Sequence, residues 1–188
     1  MESINLSNPK PFTWATNDFS QVPFRVYTDP EIYEREQKFL FQGPTWHFLC
    51  LEVELPNQGD YKMTQIGDAP IIVVRDEKGD INALVNRCAH KGSLVCYKPR
   101  GNVKEFACIY HNWTYDLRGK LTGVAFSRGV GGKGGLTQEF KHNEHNMEKI
   151  RVEICRGLVM GTFNEKTPSF TDYIGTELLA SIDRVFIK

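Results

Sequence analysis

Cys88-Ala89-His90 and, beyond residues 91–107, Cys108-Ile109-Tyr110-His111 decide how this chain is read. Each stretch pairs one Cys with one His, at a spacing short enough to bend around one end of a small inorganic core. Two thiolates and two imidazoles suit a [2Fe–2S] centre in which one iron takes both Cys and the other both His. The mixture has an electrostatic reason. Two ferric ions, two sulfides and two thiolates sum to zero, so reduction adds a single negative charge. A four-Cys cluster starts two units more negative and resists the electron more strongly. Cys88, His90, Cys108 and His111 are therefore the candidate ligands, and a [2Fe–2S] cluster is the implied cofactor.

Two other readings stand beside this one. A four-ligand Cys/His set in a soluble protein is often a zinc site, and isolated Cys and His residues are mostly packing or surface residues. The usual zinc knuckle, however, is Cys-x2–4-Cys with its His residues grouped elsewhere. Here Cys and His alternate within each loop, the arrangement of a Rieske centre.

With 188 residues, the chain has room for one substantial core plus extensions. Its 23 basic and 23 acidic side chains cancel, leaving no electrostatic footprint for nucleic acid or a membrane surface. Of the five Cys, three (Cys50, Cys96 and Cys155) fall outside the ligand set. Cys50 and Cys155 lie in apolar, strand-like runs and read as buried thiols. The N-terminus has no basic segment followed by an apolar core, and no run is long and apolar enough to span a bilayer. These features point to a reducing cytoplasm.

Outward from the Cys/His loops the pattern is mainly β. Trp46 to Val53 is apolar and aromatic, Asn57 to Asp60 marks a turn, and Ile71-Ile72-Val73-Val74 is a β-branched run. Asp76-Glu77-Lys78-Gly79-Asp80 predicts a hairpin turn into Ile81 to Val85. Val103 to Ala107 predicts the strand entering the second loop, and Trp113 to Asp116 leaves it before a turn at Leu117-Arg118-Gly119. Ile150 to Ile154 and Leu158 to Phe163 predict a closing hairpin around Gly157. Short strands with turns about every 8–12 residues mean an all-β sandwich or barrel. Upstream, Asp29 offers a helix N-cap, Pro30 a first helical residue, and Gly43-Pro44 a stop. Residues 1 to about 28 read as an irregular arm with scattered Pro and aromatics. Asp172 to Ile182 is helix-compatible but shows no cap.

Three further features are weaker. Gly129 to Gly135 lacks the Gly-x4-Gly-Lys-Ser/Thr order of a phosphate loop and reads as a surface loop. His142 and His145 have the spacing of one helix face, so a second metal site is conceivable. No carboxylate pattern completes it, and two solvated His in a polar run is the plainer reading. His47 reads as a packed strand residue.

The runs Asn86-Arg87-Cys88-Ala89-His90-Lys91-Gly92 and Cys108-Ile109-Tyr110-His111-Asn112-Trp113-Thr114-Tyr115-Asp116-Leu117-Arg118-Gly119 resemble the Rieske domain of aromatic-ring-hydroxylating oxygenase large (α) subunits. Residues 27–61, including Tyr27-Thr28-Asp29-Pro30-Glu31, are similar to the lead-in of those subunits. The salicylate hydroxylase and anthranilate dioxygenase group is the most similar. The resemblance implies an all-β fold: an antiparallel β-sandwich with a small cluster-binding subdomain and short flanking helices at both ends. It divides the chain into an arm and amphipathic helix (1–45), the Rieske domain (46–165) and a C-terminal segment (166–188). It also implies one-electron transfer from a ferredoxin or flavin reductase to a mononuclear Fe(II) in a catalytic domain. His111 would face a carboxylate on the neighbouring subunit's catalytic domain. A trimeric assembly and a small β subunit are further implied partners.

The family often has Arg, Pro and Gly where this chain has Lys91, Ile109 and Asn112. If the Asn112 position needs a positive φ, Asn is the least costly residue after Gly. Trp113 stands where respiratory Rieske proteins place a Ser that donates to a bridging sulfide, so a potential toward the low end of the Rieske range is expected. The Asp/Glu-x2-His-x4-His run expected for the mononuclear iron is absent from these residues. The expectation is either a fragment of a larger subunit or a Rieske-only product that moves electrons without hydroxylating. The alternative reading is a free-standing Rieske ferredoxin, which would need neither the arm nor the terminal helix.

Overall fold

The computed structural model describes residue 14 and residues 20–131 and 133–186. Most of the expected arm, and Gly132 of the glycine-rich stretch, lie outside the described residues.

The architecture grows from the β-branched run. Ile71, Ile72, Val73 and Val74 are fully buried in β3 (Ala69–Arg75). Strand alternation sends them two ways. Ile72 and Val74 join Leu84, Phe106 and Tyr115 in a core beneath the Cys/His loops. Ile71 and Val73 join Leu49, Ile66 and Val159 in a second core. Burial on both faces is why the run is continuously apolar rather than alternating.

Seven antiparallel strands share one sheet. Their spatial order is β1 (His47–Leu51), β10 (Leu158–Thr162), β9 (Lys149–Cys155), β4 (Ile81–Val85), β3, β2 (Asp60–Ile66) and β5 (Arg100–Asn102). The sheet curls until β1 lies against β2. A second antiparallel sheet joins β6 (Phe106–Ala107), β7 (Thr114–Tyr115) and β8 (Leu121–Gly123). The fold is thus mostly β, with curled antiparallel sheets and few short helices, as the sequence implies.

Both predicted hairpins form. Asp76 donates its N–H to Asp80 O at 2.9 Å across the β3–β4 turn. Between β9 and β10, Arg156 and Gly157 both take positive φ (52° and 81°), the backbone a tight two-residue hairpin needs. At the N-terminal side, Asp29 caps α2 (Pro30–Glu36) by accepting the Glu31 N–H at 2.8 Å. The chain then widens into a π turn over Gln37–Phe41 before stopping at Gly43.

Several expectations are corrected. One extra turn, α1 (Arg25–Thr28), falls inside the supposed arm. The first strand ends at Leu51 and passes into a 3-10 turn, Glu52–Glu54, rather than running to Val53. Of the strand expected over Val103 to Ala107 only β6 (Phe106–Ala107) forms; residues 103–105 instead carry the chain from β5, which pairs in the large sheet, to β6, which pairs in the small one. The last helix, α3 (Phe170–Phe186), does have a cap: Ser169 Oγ accepts the Asp172 N–H at 3.2 Å. Gly175 (φ 73°, ψ 173°) breaks it near its start. Ile174, Leu179 and Ile182 of α3 pack on Trp46, Cys155 and Met160, covering the outer face of β9 and β10. Among the described residues no helix is long and apolar enough to cross a membrane.

Candidate metal centre

The two Cys/His loops repeat one backbone design. Cys88 donates its N–H to Ser93 O and accepts from the Gly92 N–H, both at 2.8 Å. Cys108 donates to Trp113 O and accepts from the Asn112 N–H, again both at 2.8 Å. Each loop turns back through a left-handed residue at the same point, Gly92 (φ 69°) and Asn112 (φ 52°). Asn112 therefore occupies the conformation that explains why Asn replaces Gly there.

This design sorts the four candidate ligands by type. Cys88 and Cys108 are 3% and 1% exposed, on the core side. His90 and His111 are exposed at the tip, with ring centroids 4.7 Å apart and planes crossed at 72°. Burial pushes the Cys88 thiol up; the Tyr115 hydroxyl and the His90 backbone N–H oppose this, and neighbouring Cys108 adds to it. Partial desolvation, reinforced by His111 and Lys91, holds the exposed His90 below the usual imidazole range. Among the described residues, no three His, Cys, Asp or Glu side chains converge as a single-ion site requires. A lone zinc ion needs about four donors around one point. A two-iron core needs a pair of donors at each end, and a buried Cys pair beside an exposed His pair fits that chemistry. All five cysteines are free thiols, so neither loop is pinned by a disulfide.

Side chains outside the ligand set hold the loops. Asn86, fully buried, accepts the N–H groups of Val95 and Cys96 at 2.9 Å and donates to Cys96 O at 2.8 Å, closing the first loop at its base. Tyr115, also fully buried, brings its hydroxyl 3.2 Å from Cys88 Sγ. That hydroxyl accepts the Ala89 N–H at 3.1 Å, which leaves its own hydrogen for the sulfur. Sequence reasoning missed both roles. The period-two spacing of Trp113, Tyr115 and Leu117 contained a signal for one buried face, and all three are buried, although only Tyr115 lies in a strand.

Trp113 lies parallel to the His90 ring (12°, centroids 4.8 Å apart) and meets Phe140 and His145 edge-on. His145 is thus a half-buried ring stacked on Phe140 at 4.3 Å, not the solvated residue expected. His142 is exposed, its ring edge-on to Phe140. His47 is half-buried against Phe41, with Nε2 2.9 Å from Thr45 Oγ1. The glycine-rich stretch closes on itself through Leu136 N–H to Ser127 O at 2.9 Å.

Residues 45–131 match the Rieske [2Fe-2S] domain. The chain is 45% identical over 172 residues to the anthranilate 1,2-dioxygenase large subunit of Burkholderia cepacia, covering 92% of this chain and 41% of that one. It is 45% identical over 174 residues to a terephthalate 1,2-dioxygenase terminal oxygenase α subunit of Comamonas sp., covering 93% and 42%. The salicylate 5-hydroxylase large oxygenase component of Ralstonia sp. is 42% identical over 182 residues, with 95% and 43% covered. Among solved structures, naphthalene 1,2-dioxygenase from Rhodococcus sp. superposes with a TM-score of 0.76 at 34% identity, over 87% of this chain and 36% of that chain. The chain spans less than half the length of the curated relatives it matches. It carries a Rieske [2Fe–2S] domain of the type found in the large (α) subunits of aromatic-ring-hydroxylating oxygenases.

Proposed function

We propose that this chain is the electron-transfer module of a ring-hydroxylating oxygenase α subunit, with Cys88 and Cys108 binding one iron and His90 and His111 the other. One observation carries the reading: two matched loops put the Cys pair inside and the His pair at the surface. The cluster supplies one-electron storage. The protein's own part is to exclude water from the thiolates, to aim the Tyr115 hydroxyl at Cys88 Sγ, and to present both imidazole edges to partners. His90 is braced by Trp113, and His111 stands beside the exposed Tyr110 ring at 3.9 Å.

Electrons arrive singly from a ferredoxin or flavin reductase. They leave toward a mononuclear iron in the catalytic domain of a neighbouring α subunit, where by family analogy a carboxylate receives His111. The charge of the segment that carries the ligands suits an acidic donor. Arg87, Lys91, Lys98, Arg100 and Lys104 are all exposed, and Glu105 is the sole acid from residue 87 to 111. Such an excess of positive charge raises the association rate with a partner of opposite charge. The aromatic carboxylates that name the relatives give the substrate class proposed for the whole protein.

Iron, zinc and acid-labile sulfide analysis tests the assignment. About two irons and two sulfides per chain are expected. Stoichiometric zinc without labile sulfide would overturn it.

A further inference from the structure

The Tyr115 hydroxyl is held at Cys88 by an element too small to hold itself. Strand β7 is only Thr114–Tyr115, and its register with β8 slips between those two residues. The chain leaves β7 through a stiff turn. Asp116 Oδ1 accepts the N–H groups of Arg118 and Lys120, both at 2.9 Å, and Asp116 N–H donates to Lys120 O at 3.0 Å. Gly119 takes φ 81°, and a Cβ there would sit 2.9 Å from Leu84 Cδ2, so the turn packs directly onto the large sheet.

The turn is also fastened from outside. Arg118 Nε donates to Asp76 Oδ2 at 2.7 Å, and Asp76 belongs to the β3–β4 hairpin of the other sheet. Asp76 is 1% exposed and its carboxylate is fully committed. Oδ1 accepts from the Lys78 and Asp80 N–H groups at 2.9 and 3.0 Å, and Oδ2 also accepts from Asn82 Nδ2 at 3.1 Å. A buried carboxylate with four donors is a fixed point, and Arg118 ties the turn to it.

We propose that Asp76 and Arg118 are positioning residues for the cluster: by anchoring the turn after Tyr115 they hold its hydroxyl at Cys88 Sγ and so raise the reduction potential. This rests on the cluster assignment above. A hydrogen bond to a ligand sulfur stabilises the more negative, reduced state. Loosening the strut therefore lowers the potential through Tyr115.

The sign of one substitution separates this from a direct charge effect. In Asp76→Asn the backbone N–H groups hold the amide oxygen at the Oδ1 position, so the amide nitrogen faces Arg118 Nε–H and the strut opens. Losing a negative charge would by itself raise the potential. The proposal requires it to fall. Midpoint potentials and reduced-state EPR spectra are measured for wild type, D76N, R118Q, Y115F and the double variants D76N/Y115F and R118Q/Y115F. The expected result is a fall in D76N and R118Q, no larger than in Y115F. In the Y115F background R118Q should shift the potential by less than half as much, and D76N should no longer lower it.

A rise or no change in D76N, or an R118Q shift of equal size in both backgrounds, would overturn the proposal. Arg118 is partly exposed, so R118Q gives a reading even if D76N does not fold. Full iron and sulfide with a potential indifferent to D76N and R118Q overturns the strut alone. A wild-type chain that holds no iron and sulfide overturns the cluster assignment with it.

Discussion

The two sheets are built on different principles. The seven-stranded sheet has strands of up to seven residues and a core on each face. The cluster sheet has strands of two, two and three residues, too short to be stable as an isolated ladder. It is held by single side-chain contacts across its border, Arg118 on Asp76 and Asn146 accepting the Leu121 N–H at 2.9 Å, while Asn86 closes the neighbouring first loop at its base. The large sheet is a scaffold, and the small one is a fitting positioned on that scaffold. Damage to the first should appear as lost stability. Damage to the second should appear at the cofactor.

The largest effect expected on the fitting is Cys108→Ala. It removes one of only two thiolates, and visible absorption and labile sulfide should both vanish. Far-ultraviolet circular dichroism should still report the large sheet. A variant that keeps a full cluster would break the comparison at its root.

On the scaffold, Ile71→Ala empties a fully buried site in the core that faces away from the cluster. Denaturant titration should show a loss of about 2–5 kcal/mol. The potential of the protein that remains folded should not move. If it shifts as far as in Y115F, the two cores are not separable in the way described.

Asn86→Ala strips partners from the buried N–H groups of Val95 and Cys96 and the C=O of Cys96. Leaving such groups unsatisfied costs about 1–3 kcal/mol. Because these groups close the first loop, iron should also be lost faster to a chelator. Unchanged iron release would confine Asn86 to a structural role.

How much of this was legible depends on where the information lies. The Cys/His loops could be read because ligand chemistry dictates residue types at short spacing. The β3–β4 and β9–β10 hairpins were readable because β-branched runs meet turn residues within a few positions. β2 was not singled out, since Asp60-Tyr61-Lys62-Met63-Thr64-Gln65-Ile66 owes its strand to partners on both sides rather than to its own apolar content. The exposed Arg100–Asn102 strand carries no pattern at all; it exists because β2 pairs with it. The strut joins Asp76 to Arg118, and the redox-relevant contact joins Cys88 to Tyr115. Local sequence cannot show such pairings, because the fold brings the partners together from distant parts of the chain.

A subtler effect is Tyr115→Phe, which keeps the ring and its packing and removes one hydrogen bond to sulfur. A contribution of about 1.4 kcal/mol corresponds to about 60 mV for a one-electron couple, with the potential falling. Redox titration of the two proteins measures it. An equal or higher potential would mean that the hydroxyl does not act on the thiolate. It also bears on the low potential expected from Trp113, since Tyr115 supplies one sulfur-directed donor that local sequence does not reveal.

The smallest change appears only in acid. Burial works against the Asp76 carboxylate. Hydrogen bonds from the Lys78 N–H, Asn82, Arg118 and the Asp80 N–H outweigh it and hold its pKa below the usual value. A depressed carboxylate contributes stability that is present above its unfolded pKa, about 3.9, and is lost as pH falls through the folded value. The stability gap between wild type and D76N should therefore be constant at neutral pH and close below about pH 4. A gap that persists unchanged into strong acid would mean that the charge of Asp76 contributes nothing.

Both halves of the comparison depend on two buried thiolates and two exposed imidazoles sharing one two-iron cluster. Pulsed EPR of the dithionite-reduced protein, prepared with and without 15N-labelled histidine, is the decisive measurement. The expected spectrum is a reduced [2Fe–2S] signal with couplings from two directly bound imidazole nitrogens, one lost in His90→Cys and one in His111→Cys. A reduced cluster with no histidine nitrogen bound to iron would contradict the shared cluster outright.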